Sequence, residues 1–220
     1  MATDILADAL TESGGVSVVT PRPAPVYLDR SSSGMLMTPD EYDAVTDWDR
    51  DYRFELIRGV IAVSPAPAIG SRYPSDWFAA VLRAYSRTET GKTVMPITVS
   101  EHDLEPPNGR RRADRVIWCG LGRMPDFKRD VPQIAIEFVS ETTRDRHRDF
   151  VEKRREYLEL GVREYWIVDR FGRSLTVCTT PAGETGVTVV RAAGVYRTDL
   201  LPGFELKFDE LLGEIDKVTG

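Results

Sequence analysis

QIAIEFVSETTRDRHRDFVEKRREYLELGVREYWIVD, residues 133–169, carries the pattern that decides the fold. Its first eight residues read as a strand that is apolar on both faces. Ile134, Ile136 and Phe138 share one face; Ala135, Glu137 and Val139 share the other. Such a strand belongs in the middle of a sheet covered on each side. A helix follows from about Asp145 to Leu160, with Gly161 just past its last turn. REYWIVD then reads as a second strand. Glu137 interrupts the apolar pattern. A buried, unpaired carboxylate is expensive, so a cation, a metal or a solvent-open sheet end must compensate it. The plainer alternative is a glutamate at the exposed end of the strand, paired with an arginine.

Working outward, residues 1–37 read as a flexible tail, with Gly14-Gly15, PRPAPVY and SSSG lacking apolar periodicity. Residues 38–220 read as a single domain. Thr38, Pro39 and Glu41 predict a capped short helix. YRFELIRGVIAVSPAP predicts an N-terminal hairpin, with Gly59 supplying the positive φ of its turn. PSDWFAAVLRAYS, residues 74–86, is an amphipathic helix with Ser75 as its cap. KTVMPITVS is a strand, HDLEPPNGRRR a loop, DRVIWC a strand and SLTVCTT another, entered through a turn containing Gly172. A strand-like segment and a short helix close the chain. The fold class is α/β, a mixed central sheet of about six strands flanked by helices.

Composition narrows the function. The 220 residues hold two cysteines and two histidines, which excludes a disulfide framework, a cysteine-rich zinc site and a His-rich metal site. No apolar run approaches a membrane span, and the acidic first residues lack the basic region of a signal peptide. A cytoplasmic protein is the expectation. The net charge of −6 argues against a general nucleic-acid binder. Its distribution argues differently. Residues 110–155 hold 13 Lys+Arg against 8 Asp+Glu, whereas the rest of the chain holds 16 against 27. Arg110, Arg111, Arg112, Arg144 and Arg146 in this stretch are the candidate nucleic-acid contacts, with weak and salt-sensitive binding expected.

Four side chains carry candidate chemistry. Asp114 opens DRVIWC, and it meets Glu137 at one sheet edge if the two strands are neighbours. Two close carboxylates in low dielectric repel unless a cation lies between them, and oxygen ligands suit Mg²⁺. Alone, Asp114 is equally a strand-start residue. On the helix, Lys153 lies about 60° from Phe150, inside the apolar arc, and reads as a stem covering the core or a reach to a buried anion. Arg154 falls in the same arc, so the wheel leaves both open; Glu152 and Glu156 take the opposite side. Asp149 stands four residues before Lys153 and can pair with it. Glu55 alternates with Phe54 and Leu56, a weak signal by itself. Neither a GxSxG segment nor a Cys–His pairing is evident.

Together these segments resemble the Uma-type restriction endonucleases of the PD-(D/E)XK nuclease superfamily, over roughly residues 36–212. The most specific part is Glu137 to Asp169: E-x-x-S, a charged stretch, D-x-x-x-K, then G-V-x-E-Y-W-x-V-D. ELIRG and SPAP support it. The resemblance implies a restriction endonuclease-like fold, Mg²⁺-dependent (or Mn²⁺-dependent) hydrolysis of DNA, and a homodimer. Asp114 matches the aspartate of the PD half-motif and Glu137 the acidic residue of the second half. Val139 stands where the lysine usually does, and Lys153 matches a lysine migrated onto the helix, where it would stabilise charge beside the attacking water. Glu55 matches an added metal ligand; Ser140 and Asp149 match supporting positions. Ala113 replaces the motif's proline, and no histidine follows SPAP, where Tyr73 is the nearest candidate. Two rivals stand beside the nuclease: a silent nuclease-fold module binding nucleic acid or a protein, and a structural ion-pair network.

Overall fold

The structure, a computed structural model, describes residues 27–140, 142–179 and 186–219. In chain order, β1 (Tyr27–Leu28) precedes α1 (Pro39–Asp43), β2 (Asp47–Trp48), and the hairpin of β3 (Tyr52–Ile57) and β4 (Val60–Pro65). Then come α2 (Ile69–Tyr85), α3 (Glu89–Val94), β5 (Ile97–Leu104), β6 (Gly109–Trp118) and β7 (Ile134–Phe138). The crossover helix consists of α4 (Thr143–His147), a π-helical segment (Arg148–Lys153) and α5 (Arg154–Leu160). β8 (Glu164–Asp169), β9 (Ser174–Thr179), β10 (Gly186–Arg191), β11 (Val195–Tyr196), β12 (Leu206–Lys207) and α6 (Phe208–Thr219) complete the chain.

The main sheet has eight strands, in the order β10-β9-β8-β7-β6-β3-β4, with β5 paired to β6. β7 and β8 are parallel, as a strand–helix–strand crossover requires, and β7 pairs antiparallel with β6. All five residues of β7 are buried. Its two faces feed two separate cores. Ile134, Ile136 and Phe138 pack with Trp166, Phe78 of α2 and Leu211 of α6. Ala135 and Val139 pack with Tyr157 of α5, Tyr165 and Trp118. A third, smaller core joins Leu28, Met37 and Val45 to Phe54 and Leu56 of β3.

Local chemistry explains the elements that position the site. Thr38 caps α1, and Glu41 returns a bond to the Thr38 N–H at 2.7 Å. The β3–β4 turn uses two left-handed residues, Arg58 (φ 52°) and Gly59 (φ 80°), as a two-residue hairpin demands. Sequence alone gave that conformation to Gly59 only.

Several expectations are corrected. Leu28 and Met37 are core residues, so the packed domain begins before residue 38; residues 1–26 lie outside the described residues. The expected loop HDLEPPNGRRR is mostly strand, because Leu104 pairs with Arg111 across the β5–β6 hairpin. In KTVMPITVS, α3 takes the first residues and the strand starts at Ile97. Helix α2 starts at Ile69 with Pro74 inside it, and Ser75 is no cap: its hydroxyl accepts from buried Arg115 at 3.0 Å. The helix after β7 is not uniformly α-helical. Its π segment changes the angular step, so a wheel at 100° per residue misplaces the residues beyond it.

Candidate active site

The β6–β7 register ends at Arg115 and Ile136, so Asp114 and Glu137 each lie one residue beyond the last pair. Asp114 Oδ2 accepts from the Phe138 N–H at 2.8 Å, and its Oδ1 accepts from Arg53 Nη2 at 3.0 Å. Both carboxylates are buried, and both line one cavity of about 390 Å³. A neighbouring cavity of about 290 Å³ shares Asp114 and adds Glu101 and Asp76.

Lys153 settles the question the wheel left open. It is fully buried, whereas Arg154 is half-buried. Its Nζ donates to Glu137 Oε1 at 2.8 Å and to the Arg112 carbonyl at 2.9 Å, and lies 3.6 Å from Glu55 Oε1. Tyr157 also donates to Glu137 Oε1 at 3.1 Å. Lys153 is not among the residues lining the cavity, whereas Glu137, which accepts from it, is. Glu55 likewise does not line the cavity. Its Oε1 accepts from the Arg112 N–H at 2.9 Å, which places this carboxylate beside Lys153. Asp149 is buried on the cavity and accepts from Arg148 at 3.2 Å; it acts on Lys153 by charge. Ser140 is exposed at the cavity rim.

Charge balance divides these carboxylates. Burial alone would raise Glu55, but Lys153, Arg111, Arg148 and the Arg112 N–H outweigh it and hold the group at about 2. Glu137 is pushed well above the usual carboxylate range by burial and by Asp114 and Asp149, against the pull of Lys153. Burial also works against the Lys153 cation, yet Glu137, Glu55 and Asp149 keep its pKa above the ordinary lysine value. Asp114, Glu137 and Asp149 thus crowd onto one cavity, where Arg53, Arg148 and Arg170 also line the wall and balance them.

Among the described residues, no group of three or more His, Cys, Asp or Glu side chains has the arrangement of a protein-only metal site. The donors present nevertheless suit Mg²⁺, which is commonly held by one or two carboxylates, with waters and substrate phosphate completing its shell. Asp114 and Glu137 are hard oxygen donors on one cavity wall, and both hydrogen bonds to Glu137 fall on Oε1.

The basic candidates are placed differently from expectation. Arg111 is buried, not exposed to a partner: Glu156 accepts from its Nε at 2.6 Å and Glu152 from its Nη2 at 3.1 Å. That also corrects the outward placement of Glu152 and Glu156. Arg110 pairs with Asp43, Arg112 with Asp103 and Arg146 with Asp169. Arg144 belongs to α4, and its side chain lies outside the described residues. Sequence reasoning missed Arg53, whose Nη2 bridges Asp114 and Glu101. Its signal was available: it shares a strand face with Glu55, two residues on. Tyr157 was also missed, although it stands four residues after Lys153.

A family model described as "Putative restriction endonuclease", Uma2, matches residues 39–209. The chain belongs to that family. Its fold is similar to a crystal structure titled as a "putative nuclease belonging to DUF820" from Anabaena variabilis, with TM-score 0.63 and 16% identity over 81% of this chain and 99% of that one. The mixed sheet flanked by helices is therefore the fold of that protein. No curated protein matches the sequence. Among the described residues, no helix is long and apolar enough to cross a membrane.

Proposed function

We propose that the chain is a metal-dependent nuclease hydrolysing phosphodiester bonds in DNA, with Asp114 and Glu137 as its metal-holding carboxylates. One observation carries this reading: two buried carboxylates, each one residue beyond the last β6–β7 pair, line one cavity, and the Lys153 ammonium donates to Glu137. Mg²⁺, or Mn²⁺ in its place, would stabilise negative charge on the phosphoryl oxygens. The chain's own residues do the rest. Lys153 and Tyr157 fix Glu137 from one side, and the Phe138 N–H and Arg53 fix Asp114. Glu55 anchors Lys153 by charge and by its own bond to the Arg112 backbone. Lys153 and Glu55 are thus positioning residues here. Asp149 adds negative charge to the cavity, and Ser140 borders it. A preorganised cluster of this kind suits a reaction whose charge is gathered on phosphate oxygens. The expected homodimer belongs to the same proposal, and light scattering on the purified chain tests it.

The test is nicking of supercoiled plasmid, with RNA as a parallel substrate, in Mg²⁺, Mn²⁺ or EDTA. Metal-dependent cleavage of DNA, lost in Glu137→Ala and Lys153→Ala, supports the proposal. Equal activity in those variants sinks the site assignment.

The Lys153–Glu137–Glu55 contacts also favour a second reading, a buried ion-pair network that serves stability alone. It predicts no heat of Mn²⁺ binding by calorimetry and a large stability loss in Glu137→Ala.

A further inference from the structure

Most arginines around the site already hold a carboxylate. Arg53 holds Asp114 and Glu101, Arg112 holds Asp103, and Arg146 holds Asp169. Arg170 is different. It lines the same cavity as Asp114 and Glu137, yet no described carboxylate pairs with it. Its guanidinium rests over the Phe171 ring, 4.5 Å from the centroid. It packs closely against a glycine of α2. A Cβ at Gly70 would stand 2.4 Å from Arg170 Nη1 and 2.9 Å from Thr219 Cγ2. In this position the guanidinium occupies space that a side chain at residue 70 would enter, so a side chain there would have to push it aside.

Arg53 lines the cavity too, but its Nη2 is taken by Asp114 and Glu101 and its Nε is enclosed by protein. Arg170 is thus the lining guanidinium that no described carboxylate holds, and an anionic oxygen in the cavity would supply the acceptor it lacks. The planar fork of arginine matches phosphate, and contacts to backbone phosphates fix register on a nucleic acid without reading sequence.

We infer that Arg170, seated over Gly70, takes a backbone phosphate neighbouring the one to be cleaved, and so positions the strand against Asp114 and Glu137. This rests on the nuclease reading above. Arg170 is then a positioning residue, with an effect on KM larger than its effect on kcat.

The experiment measures binding of a short labelled DNA duplex by fluorescence anisotropy in Ca²⁺, across a salt series, followed by cleavage kinetics in Mg²⁺. Arg170→Ala is expected to weaken binding roughly tenfold at low salt, as loss of a charged hydrogen-bonding group does. The slope of log K against log salt should fall by about 1. Gly70→Ala, which displaces the guanidinium without removing its charge, should give a smaller loss of the same sign with the fold intact by circular dichroism. In the Arg170→Ala background, Gly70→Ala should cost nothing further. Wild-type binding that Arg170→Ala leaves unchanged in strength and slope overturns this inference and leaves the nuclease reading standing. A wild-type chain that neither binds nor cuts the duplex overturns both.

Discussion

The two faces of β7 are one residue apart in sequence and opposite in character. On one, Ile134, Ile136 and Phe138 meet Trp166, Phe78 and Leu211 with no charge among them. On the other, Ala135 and Val139 flank Glu137, whose carboxylate is held by Lys153 and Tyr157. The first face gains by burying apolar area. The second spends some of that gain to keep charges out of water. Apolar packing and the charged cluster are thus separated by the pleat of a single strand, and substitutions on the two faces should separate in the same way.

The largest effect is expected on the apolar face. Trp166 is fully buried, stacks edge-on against Tyr196 and Phe78, and donates to Glu164. Trp166→Ala should lower the unfolding free energy by about 3–5 kcal/mol in urea titrations. On the polar face, Glu137→Gln keeps the shape of the side chain and removes a charge whose ionised form burial disfavours. Plasmid nicking should fall by about a hundredfold or more. Its stability loss should stay below that of Trp166→Ala, and a larger loss with cleavage retained would break the comparison.

Acid should act on the polar face as well. Glu55 is held at about 2, below the ordinary glutamate value, so its ionised form favours the folded chain. That contribution is fully present above the unfolded value and disappears as pH falls toward the folded one. It amounts to roughly 3 kcal/mol at most. Glu137 has the opposite sign, since its raised pKa disfavours folding as pH rises past the unfolded value. Urea titrations from pH 5 downward should therefore show a wild-type decline that Glu55→Gln flattens. The smallest effect belongs to Ile136→Val, which should cost about 1 kcal/mol and leave the turnover of the folded enzyme unchanged.

The apolar face was legible because alternation survives any detail of the surroundings, and Ile134, Ile136 and Phe138 read the same in isolation as in the fold. Glu137 was legible as an exception to that pattern. Lys153 was only half legible. The π segment from Arg148 to Lys153 alters the helical phase, and nothing local separates Lys153 from Arg154 until β6 and β7 supply Arg112 and Glu137 as partners. Arg111 misled for a related reason. In sequence it belongs to a basic run, and only the packing of α5 on β6 shows that Glu152 and Glu156 neutralise it. Arg170 and Gly70 lie a hundred residues apart in sequence, and only the closed fold brings them onto one cavity wall.

The central claim is that Asp114 and Glu137 hold a divalent cation together. A crystal of the full chain soaked in Mn²⁺ tests it most directly through anomalous scattering. The account predicts an anomalous peak bound by oxygens of both Asp114 and Glu137, with Lys153 still beside Glu137. A peak elsewhere, with those two carboxylates bare, would contradict it.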